Sequence, residues 1–337
     1  MANSVRGALW TIVLSATVIV SVVFAVTFGP AHITPTEVWG SILHHLGIGP
    51  SPLSSLRDSI VWELRLPRVL TAAAVGAGLA IAGVVMQAIT RNPLADPYLL
   101  GLSSGASLGA VAVLLLGSAL LLPFAAFLGA VVALAATLLL AGAFGRITPG
   151  RTILAGIAVS ALAGAITSLI IFWTVTGDSY REILGWLLGS LAGARWPAVA
   201  IVFIAIVVAG LPIMLSGRVL DAFAFGDTSA ATLGINVSAT RWIMLTAAAL
   251  LTGAMVSVSG AIGFVGLILP HAVRLLVGPH HRFLLPLSAL VGASFLIWAD
   301  TVARSLFDPR ELPVGIVTAI IGAPVFAVLL TRRKVNS

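Results

Sequence analysis

The fold of this chain is decided by the stretch Leu66-Pro-Arg-Val-Leu-Thr-Ala-Ala-Ala-Val-Gly-Ala-Gly-Leu-Ala-Ile-Ala-Gly-Val-Val-Met-Gln-Ala-Ile89. From Leu70 to Ile89 it contains no ionisable side chain. A membrane-spanning helix needs about 20 apolar residues, and this stretch supplies them. It therefore predicts a helix that crosses a membrane.

Apolar runs of this kind recur along the whole chain. Hydrophobic residues make up 59% of the 337 residues, and charged residues only 9%. A soluble domain keeps about 25% charged residues to cover its surface. Because this chain has too little charge to hydrate its outside, most of its surface must face lipid.

Ten apolar segments predict ten helices, of which the segment at 267–277 is too short to cross on its own. The first run is too long for a signal-peptide core and has no clear cleavage site, so we expect it to be retained. The sequence predicts an all-α polytopic membrane protein with one transmembrane domain over residues 1–337. The nine longer segments lie near 8–28, 66–89, 97–116, 119–141, 151–173, 196–216, 240–259, 282–303 and 312–331.

The orientation follows from the distribution of arginine and lysine. Ten crossings place both termini on one side, and inner segments are richer in these residues. With the N-terminus inside, inner segments hold 11 of the 18 basic residues, which predicts an N-in, C-in topology. Thr71-Ala-Ala-Ala with Gly78 resembles Thr246-Ala-Ala-Ala with Gly253, in helices predicted to run in opposite directions, as an inverted repeat requires.

Several kinds of chemistry are excluded by the residues that the sequence lacks. There is no cysteine, and the six histidines lack metal-ligand spacing, so His271 is expected to be packed or hydrogen-bonded rather than to bind a metal. The only lysine is Lys334, in the C-terminal tail, so the chain has no P-loop. Asp300 is the nearest residue to an intramembrane acid, which argues against proton-coupled carriers and intramembrane enzymes.

Two stretches broken by proline and glycine, 92–101 and 260–271, interrupt the apolar pattern. Irregular backbone at membrane depth is tolerated only where protein buries it or a cavity hydrates it. Broken helices in corresponding halves of a transporter point to the transport path. We therefore expect Asn92 and Pro93 to lie along a translocation path.

The outer segment 176–196 has polar residues followed by an apolar face that includes Trp186. This pattern is typical of an amphipathic helix at the membrane interface. Gly185 and Gly189 follow a spacing of four that also suits close helix packing.

The longest polar inner segment is the loop 218–237. Asp227 or Thr228 is expected to cap a short helix there. A short capped helix is equally typical of an ordinary solvated loop.

Three arginines lie at the outer ends of predicted helices. By residue type alone, they are expected to be interfacial anchors whose charged ends reach the membrane surface. They are Arg65, Arg68 and Arg304.

Motifs at these same positions resemble those of the FecCD-type permeases. These are the membrane subunits of type II ABC importers for ferric siderophores, haem and cobalamin. The resemblance extends from about Trp62 to Leu330, in the order of the family. It rests on Arg65-Leu-Pro-Arg68, Gly83-Val-Val-Met-Gln87, Asn92-Pro-Leu-Ala-Asp-Pro97, Leu100-Gly-Leu-Ser-Ser-Gly-Ala106, Gly263-Phe-Val-Gly-Leu-Ile-Leu-Pro-His271, Ala299-Asp-Thr-Val-Ala-Arg304 and Glu311-Leu-Pro-Val-Gly315.

The resemblance implies partners that the composition does not show. Two permease chains, identical or different, pair around a central path in the inner (cytoplasmic) membrane. Two ATPase subunits, which hold the ATP and Mg²⁺, dock on the cytoplasmic face, so this chain is expected to be no enzyme and to need no cofactor of its own. A periplasmic or lipid-anchored binding protein delivers the metal chelate, and no nucleic acid is involved.

The resemblance also assigns residues to roles. It implies that the three outer arginines, Arg65, Arg68 and Arg304, pair with glutamates on the two lobes of the binding protein. It makes the loop 218–237 a coupling segment against the ATPase and the segment 176–196 a periplasmic gate. The coupling residues are then Gly226, Asp227, Thr228, Ala230, Ala231, Leu233 and Gly234. The path and gate residues are Asn92, Pro93, Gly185, Trp186 and Gly189.

Ferric siderophore is the expected cargo on this resemblance, and haem or cobalamin are the alternatives. Two other classes of function are weighed against an importer permease. An ion-coupled secondary carrier would work without an ATPase. A membrane-embedded enzyme would need a nucleophile–base pair or a metal cluster, and the sequence offers neither.

Overall fold

The computed structural model of the chain describes residues 2–29, 33–118, 121–143, 148–174, 178–307 and 310–333. Within these ranges the protein consists of helices and connecting segments, without strands. Residues 176 and 177 of the predicted gate segment, and Lys334, lie outside the described residues.

Sixteen α-helices lie within the described ranges, and two π-helical turns join some of them into longer rods. One turn, Ile60–Arg65, connects α3 to α4, and the other, Ile206–Gly210, connects α9 to α10. In chain order the helices are α1 (Ala2–Thr27), α2 (Pro35–His45), α3 (Ser55–Ser59), α4 (Leu66–Thr90), α5 (Leu102–Leu115), α6 (Leu122–Gly142), α7 (Pro149–Thr174), α8 (Asp178–Leu187), α9 (Trp196–Ala205), α10 (Leu211–Leu215), α11 (Gly217–Ala224), α12 (Asp227–Thr232), α13 (Val237–Ser259), α14 (Val265–Val277), α15 (His281–Ser305) and α16 (Val314–Arg333).

The predicted apolar helices are all present, which confirms the all-α polytopic class. Among the described residues, seven helical segments are long and apolar enough to cross a membrane, and three apolar helices are shorter. The long segments are Gly7–Thr27, Ser55–Thr90, Leu122–Gly142, Pro149–Thr174, Trp196–Leu215, Val237–Ser259 and His281–Ser305. The shorter ones are Leu102–Leu115, Val265–Val277 and Val314–Leu329.

Two local features differ from the sequence prediction. The helix expected over 97–116 begins only at Leu102, because Asp96 caps a 3₁₀ turn and Gly101 then takes a left-handed conformation at φ 81°. Outside the spans, α2 is an additional amphipathic helix. It begins with a capping box in which Thr34 and Glu37 satisfy each other's backbone N–H groups.

Helix α4 lies at the centre of the molecule and packs against α13, α14 and α15. Two of these contacts depend on glycine pairs. A Cβ added to Gly76 would lie 2.1 Å from the carbonyl oxygen of Gly292, and one added to Gly83 would lie 1.9 Å from that of Gly266. The backbones of α4, α15 and α14 therefore touch directly, which is the packing that small residues permit in membranes.

Helices at the periphery expose their apolar sides. Only 22% of the α1 and α7 spans is buried within the chain, against 78% of the span that contains α4. Large side chains such as Leu9, Phe172 and Trp173 are 60%, 84% and 77% exposed. Such surfaces are stable only in lipid or against another apolar chain.

Candidate functional site

The three outer arginines surround one cavity of about 510 Å³. Arg65 and Arg68 come from the start of the α4 rod, and Arg304 comes from the end of α15. They are 6%, 8% and 6% exposed, so they belong to the wall of the cavity and not to a free surface. Arg195 and Glu311 complete its charged lining.

Two of these arginines hold the C-terminal end of α1. Arg65 Nη1 donates to the carbonyl oxygens of Val26 and Thr27 at 3.0 and 3.1 Å. Arg304 Nη2 donates to the carbonyl oxygen of Ala25. The last carbonyls of a helix lack intrahelical partners and carry partial negative charge, so cations there stabilise the helix end. The structure thus gives Arg65 and Arg304 an internal role that the sequence analysis did not identify.

Arg68 forms the third part of the cavity wall. Its Nε and Nη2 atoms fork onto Asp300 at 2.9 and 3.0 Å, and its Nη1 donates to Glu311 Oε2 at 2.7 Å. Asp300 is 1% exposed, whereas the Glu311 side chain is 42% exposed. The fork explains why Asp300, the acid nearest to the membrane interior, is tolerated there, since charge-assisted bidentate pairs are the strong ones.

The cavity keeps an excess of positive charge. Among the described residues, four arginines and Glu311 line it, and Asp300 lies behind Arg68, so arginines outnumber acids at this cavity. Arg195 is exposed and donates to the carbonyl oxygens of Ala192 and Ala194 in its own loop. The electric field of like charges is concentrated in a cleft with apolar walls, which raises the local concentration of opposite charge. The arrangement is suited to receive a carboxylate from outside.

A second cluster lies where the predicted gate segment meets the second broken stretch. Gly189 and Gly260 have φ values of 77° and 65°, which favour glycine. A Cβ on Gly260 would lie 2.1 Å from the carbonyl oxygen of Trp186, and a Cβ on Gly189 would lie 2.6 Å from that of Ala261. Gly315, at the start of α16, donates its N–H to the carbonyl oxygen of Gly189 at 3.2 Å. Three chain segments therefore touch through glycines at one point, which we call the glycine junction.

The two broken stretches meet next to the glycine junction. Tyr98 Oη donates to the carbonyl oxygen of Ile262 and accepts from its N–H, both at 3.1 Å. Phe264, which precedes α14, has φ 70° although it is not glycine. Left-handed backbone at such a residue is strained, and strain of this kind concentrates at functional sites.

The predicted path and gate residues do not form one cluster. Trp186 and Gly189 lie at the glycine junction, but among the described residues no side chain or carbonyl from outside its own helix lies within 4 Å of the Cβ position of Gly185. Asn92 and Pro93 follow the opposite end of α4, where Asn92 Oδ1 accepts the N–H of Leu94 at 3.0 Å in an Asx turn.

The predicted coupling segment forms the short helices α11 and α12. The capping prediction was wrong, because Gly226 is the N-cap of α12 and no side chain caps it. Asp227 instead pairs with Arg241 at the start of α13, at 2.8 and 2.9 Å, and anchors α12 to that helix. Asp227 is half-buried, whereas Thr228 is exposed.

Burial divides the rest of this segment into two faces. Gly226 and Ala230 are buried inside the chain, and Ala230 is 0% exposed. Ala231, Leu233 and Gly234 are exposed, and Leu233 reaches 71%. Phe225, between α11 and α12, is 81% exposed and was not among the predicted residues. The segment thus presents bulky apolar side chains outside the apolar spans.

Comparisons with known proteins agree with this layout. The model of the FecCD transport family matches residues 17–332. A cobalamin import system permease protein, BtuC of Halobacterium salinarum, is 45% identical over 82% of this chain and 75% of its own length. The Fe(3+) dicitrate transport system permease protein FecD of Escherichia coli is 42% identical over 86% of this chain and 93% of its own. A solved structure described as an inward-facing metal-chelate type ABC transporter has a TM-score of 0.83 at 32% identity, over 96% of this chain and 98% of the other.

Proposed function

Since the chain belongs to the FecCD transport family, we propose that it is the permease subunit of an ATP-driven importer in the cytoplasmic membrane. The observation that carries this proposal is the family match over residues 17–332. In the proposed assembly a second permease chain completes the translocation path. A substrate-binding protein delivers a metal chelate to the outer end, and two ATPase subunits act at the inner end.

Energy is proposed to come from the ATPase subunits. The only lysine of this chain is Lys334, in its tail, and a P-loop uses a lysine to reach the phosphates. ATP and Mg²⁺ are therefore assigned to the partner. The exposed side chains of Phe225 and Leu233 support a docking role for α11 and α12, because neighbouring exposed apolar side chains can form part of a protein interface.

The cargo is proposed to be a ferric siderophore. Relatives of similar identity carry the names of different chelates, ferric dicitrate for one and cobalamin for another. Cobalamin is the second candidate because of the cobalamin relative. Haem is the third candidate because of the family resemblance.

Reconstitution of the permease with its ATPase and binding protein tests the function. Proteoliposomes should take up one chelate when ATP is enclosed on the ATPase side, and the purified permease alone should hydrolyse no ATP. Uptake driven by an ion gradient without ATP would instead establish a secondary carrier. Competition among ferric siderophore, cobalamin and haem identifies the cargo.

Docking of the binding protein is proposed at the outer cavity of Arg65, Arg68 and Arg304. Substitution of these buried arginines would disturb folding, so the test uses the exposed charges of the cavity. Arg195→Gln should weaken docking and Glu311→Gln should strengthen it, each by roughly 1.5- to 5-fold, because exposed charge pairs contribute about 0.2–1 kcal/mol.

The control for this experiment is Arg57→Gln. Arg57 lies on the same outer side but pairs with Glu37 at 3.1 Å and does not line the cavity. Affinity of the binding protein for the permease in nanodiscs is measured at rising salt, which should reduce both effects. Equal affinities for Arg195→Gln, Glu311→Gln and the control would refute docking at this cavity.

A further inference from the structure

The short helix α2 has apolar side chains that the described part of the chain leaves exposed. Trp39, Leu43 and Leu46 are 45%, 37% and 66% exposed. At 3.6 residues per turn they lie within about 60° of one another around the helix axis. We call this side the apolar flank of α2. Contiguous exposed apolar groups of this kind mark a contact with a membrane or with another protein.

A second side of α2 is packed against the protein. Val38 and Ser41 are 0% exposed, and the ring of His45 stacks on Trp62 with 4.0 Å between the ring centroids. Helix α2 contacts α1 and the π-helical turn Ile60–Arg65 on this side. The protein therefore covers only part of the apolar surface of α2.

The third side of α2 is polar. Arg57 Nη1 donates to Glu37 Oε1 at 3.1 Å, and the exposed His44 donates from Nδ1 to the carbonyl oxygen of Gly49 at 2.9 Å. Glu37 and His44 lie roughly 140° around the helix from the centre of the apolar flank. One side on protein, one polar side and one apolar side are the pattern of a helix that lies in a membrane interface.

The level of α2 relative to the membrane follows from the two spans that it contacts. The apolar span Gly7–Thr27 of α1 has 21 residues. At 1.5 Å per residue it rises about 31 Å, which matches the hydrocarbon core of about 30 Å. Thr27 therefore lies at the edge of the core. Helix α2 begins soon after it, at Pro35, and also contacts the turn that leads into α4, so α2 is held at the level of the lipid headgroups.

Lipid is the occupant that these observations favour for the apolar flank. The flank has no charged residue, and tryptophan is typical of the membrane–water interface. Near the same end, α1 leaves Val20 and Phe24 53% and 47% exposed, so the flank continues an apolar surface that faces lipid. We propose that α2 is an interfacial anchor whose apolar flank inserts into the membrane surface at the boundary between headgroups and acyl chains.

The anchor is joined to the outer cavity by side-chain contacts. His45 Nε2 lies 2.8 Å from Asp58 Oδ2, and Trp62 packs against Trp196 with 4.9 Å between the ring centroids. Trp196 directly follows Arg195, which lines the cavity. Insertion of the flank therefore holds this side of the cavity at a fixed height above the lipid.

The test uses single cysteines, because the natural chain contains none. Leu43→Cys and Leu46→Cys place a nitroxide label on the apolar flank, and the control His44→Cys places it on the polar side of the same helix. All three positions are exposed, so the labels disturb no packed core.

Electron paramagnetic resonance on the full-length chain in lipid nanodiscs measures the accessibility of each label to two relaxing agents. Oxygen concentrates in lipid, whereas a nickel chelate stays in water. The ratio of oxygen accessibility to nickel accessibility should be several-fold higher for Leu43→Cys and Leu46→Cys than for His44→Cys, because the apolar face of an interfacial helix lies below the headgroups.

Two results would overturn the proposal. A ratio at both flank positions as low as that of His44→Cys would place the flank in water, where only a soluble partner could cover it. Exclusion of both agents from the flank would place it against protein, such as a second copy of this chain. The proposal requires only that the chain spans a membrane, so it can fail while the proposed transport and docking roles stand.

Discussion

Replacement of Arg68 by methionine should destabilise the protein by about 3–5 kcal/mol, the range measured when one partner of a buried ion pair is removed. The structure shows why the value for a buried ion pair applies here and not the smaller value for an exposed one. Methionine keeps the apolar stem but removes the fork onto Asp300, which is 1% exposed. The remaining cation, Arg304 Nε, is 3.9 Å from the Asp300 carboxylate and beyond hydrogen-bond distance. Loss of the half-exposed Glu311 pair adds at most about 1 kcal/mol.

The free energy of unfolding is measured by titration of the bicelle-held protein with a denaturing detergent. Arg57→Met is the control, since its pair with Glu37 lies at the solvent-exposed surface, where ion pairs contribute little to stability. Arg68→Met combined with Asp300→Asn should cost less than the sum of the single changes, by about 0.5–3 kcal/mol, because the two side chains act on each other. Additive single effects, or a cost for Arg68→Met within the range of Arg57→Met, would refute this account of the cavity wall.

Two further perturbations test the glycine junction and the coupling segment. Gly189→Ala should lower the free energy of unfolding by about 1–3 kcal/mol and impair uptake, because Gly189 has a positive φ and its Cβ position is close to the Ala261 carbonyl. The control Gly185→Ala, in open space within α8, should leave stability and uptake unchanged or stabilise the protein slightly. Equal behaviour of the two variants would contradict a functional role of the glycine junction. Leu233→Asp should reduce co-purification of the ATPase, whereas Ile48→Asp, at an exposed apolar residue in the loop between α2 and α3 on the predicted outer side, should not. An unchanged yield of complex with Leu233→Asp would remove this residue from the interface.

The membrane spans were predictable because they depend on local composition alone. A helix in lipid must satisfy its own backbone groups, so length and hydropathy are enough to locate it. The prediction at 97–116 was too long for a local reason as well. Pro97 and Gly101 form a capped 3₁₀ turn before α5, and both residues were visible in the sequence. The capping box of Thr34 and Glu37 was equally visible, and it would have identified α2.

The internal partners of the arginines could not be predicted from the sequence. Arg68 and Asp300 are 232 residues apart, and Arg304 is 279 residues from the carbonyl of Ala25. No periodicity connects such positions, because the contact arises only when α1, α4 and α15 pack together. The burial of Ala230 has the same origin, since the packing of α12 against α11 and α13 decides which side of a six-residue helix is covered.

The docking role that we propose for the outer cavity is compatible with the internal bonds that its arginines form. A guanidinium has five N–H donors in a rigid fork, so one side chain can satisfy internal acceptors and still present charge to a cavity. Arg65 and Arg304 use some donors on the last carbonyls of α1, and Arg68 uses its fork on Asp300. A lysine in these positions has three donors on one compact ammonium group and lacks the planar fork that spans the two oxygens of a carboxylate. The internal bonds hold the guanidinium groups in place, and a pre-organised charge loses less entropy when an acidic partner arrives.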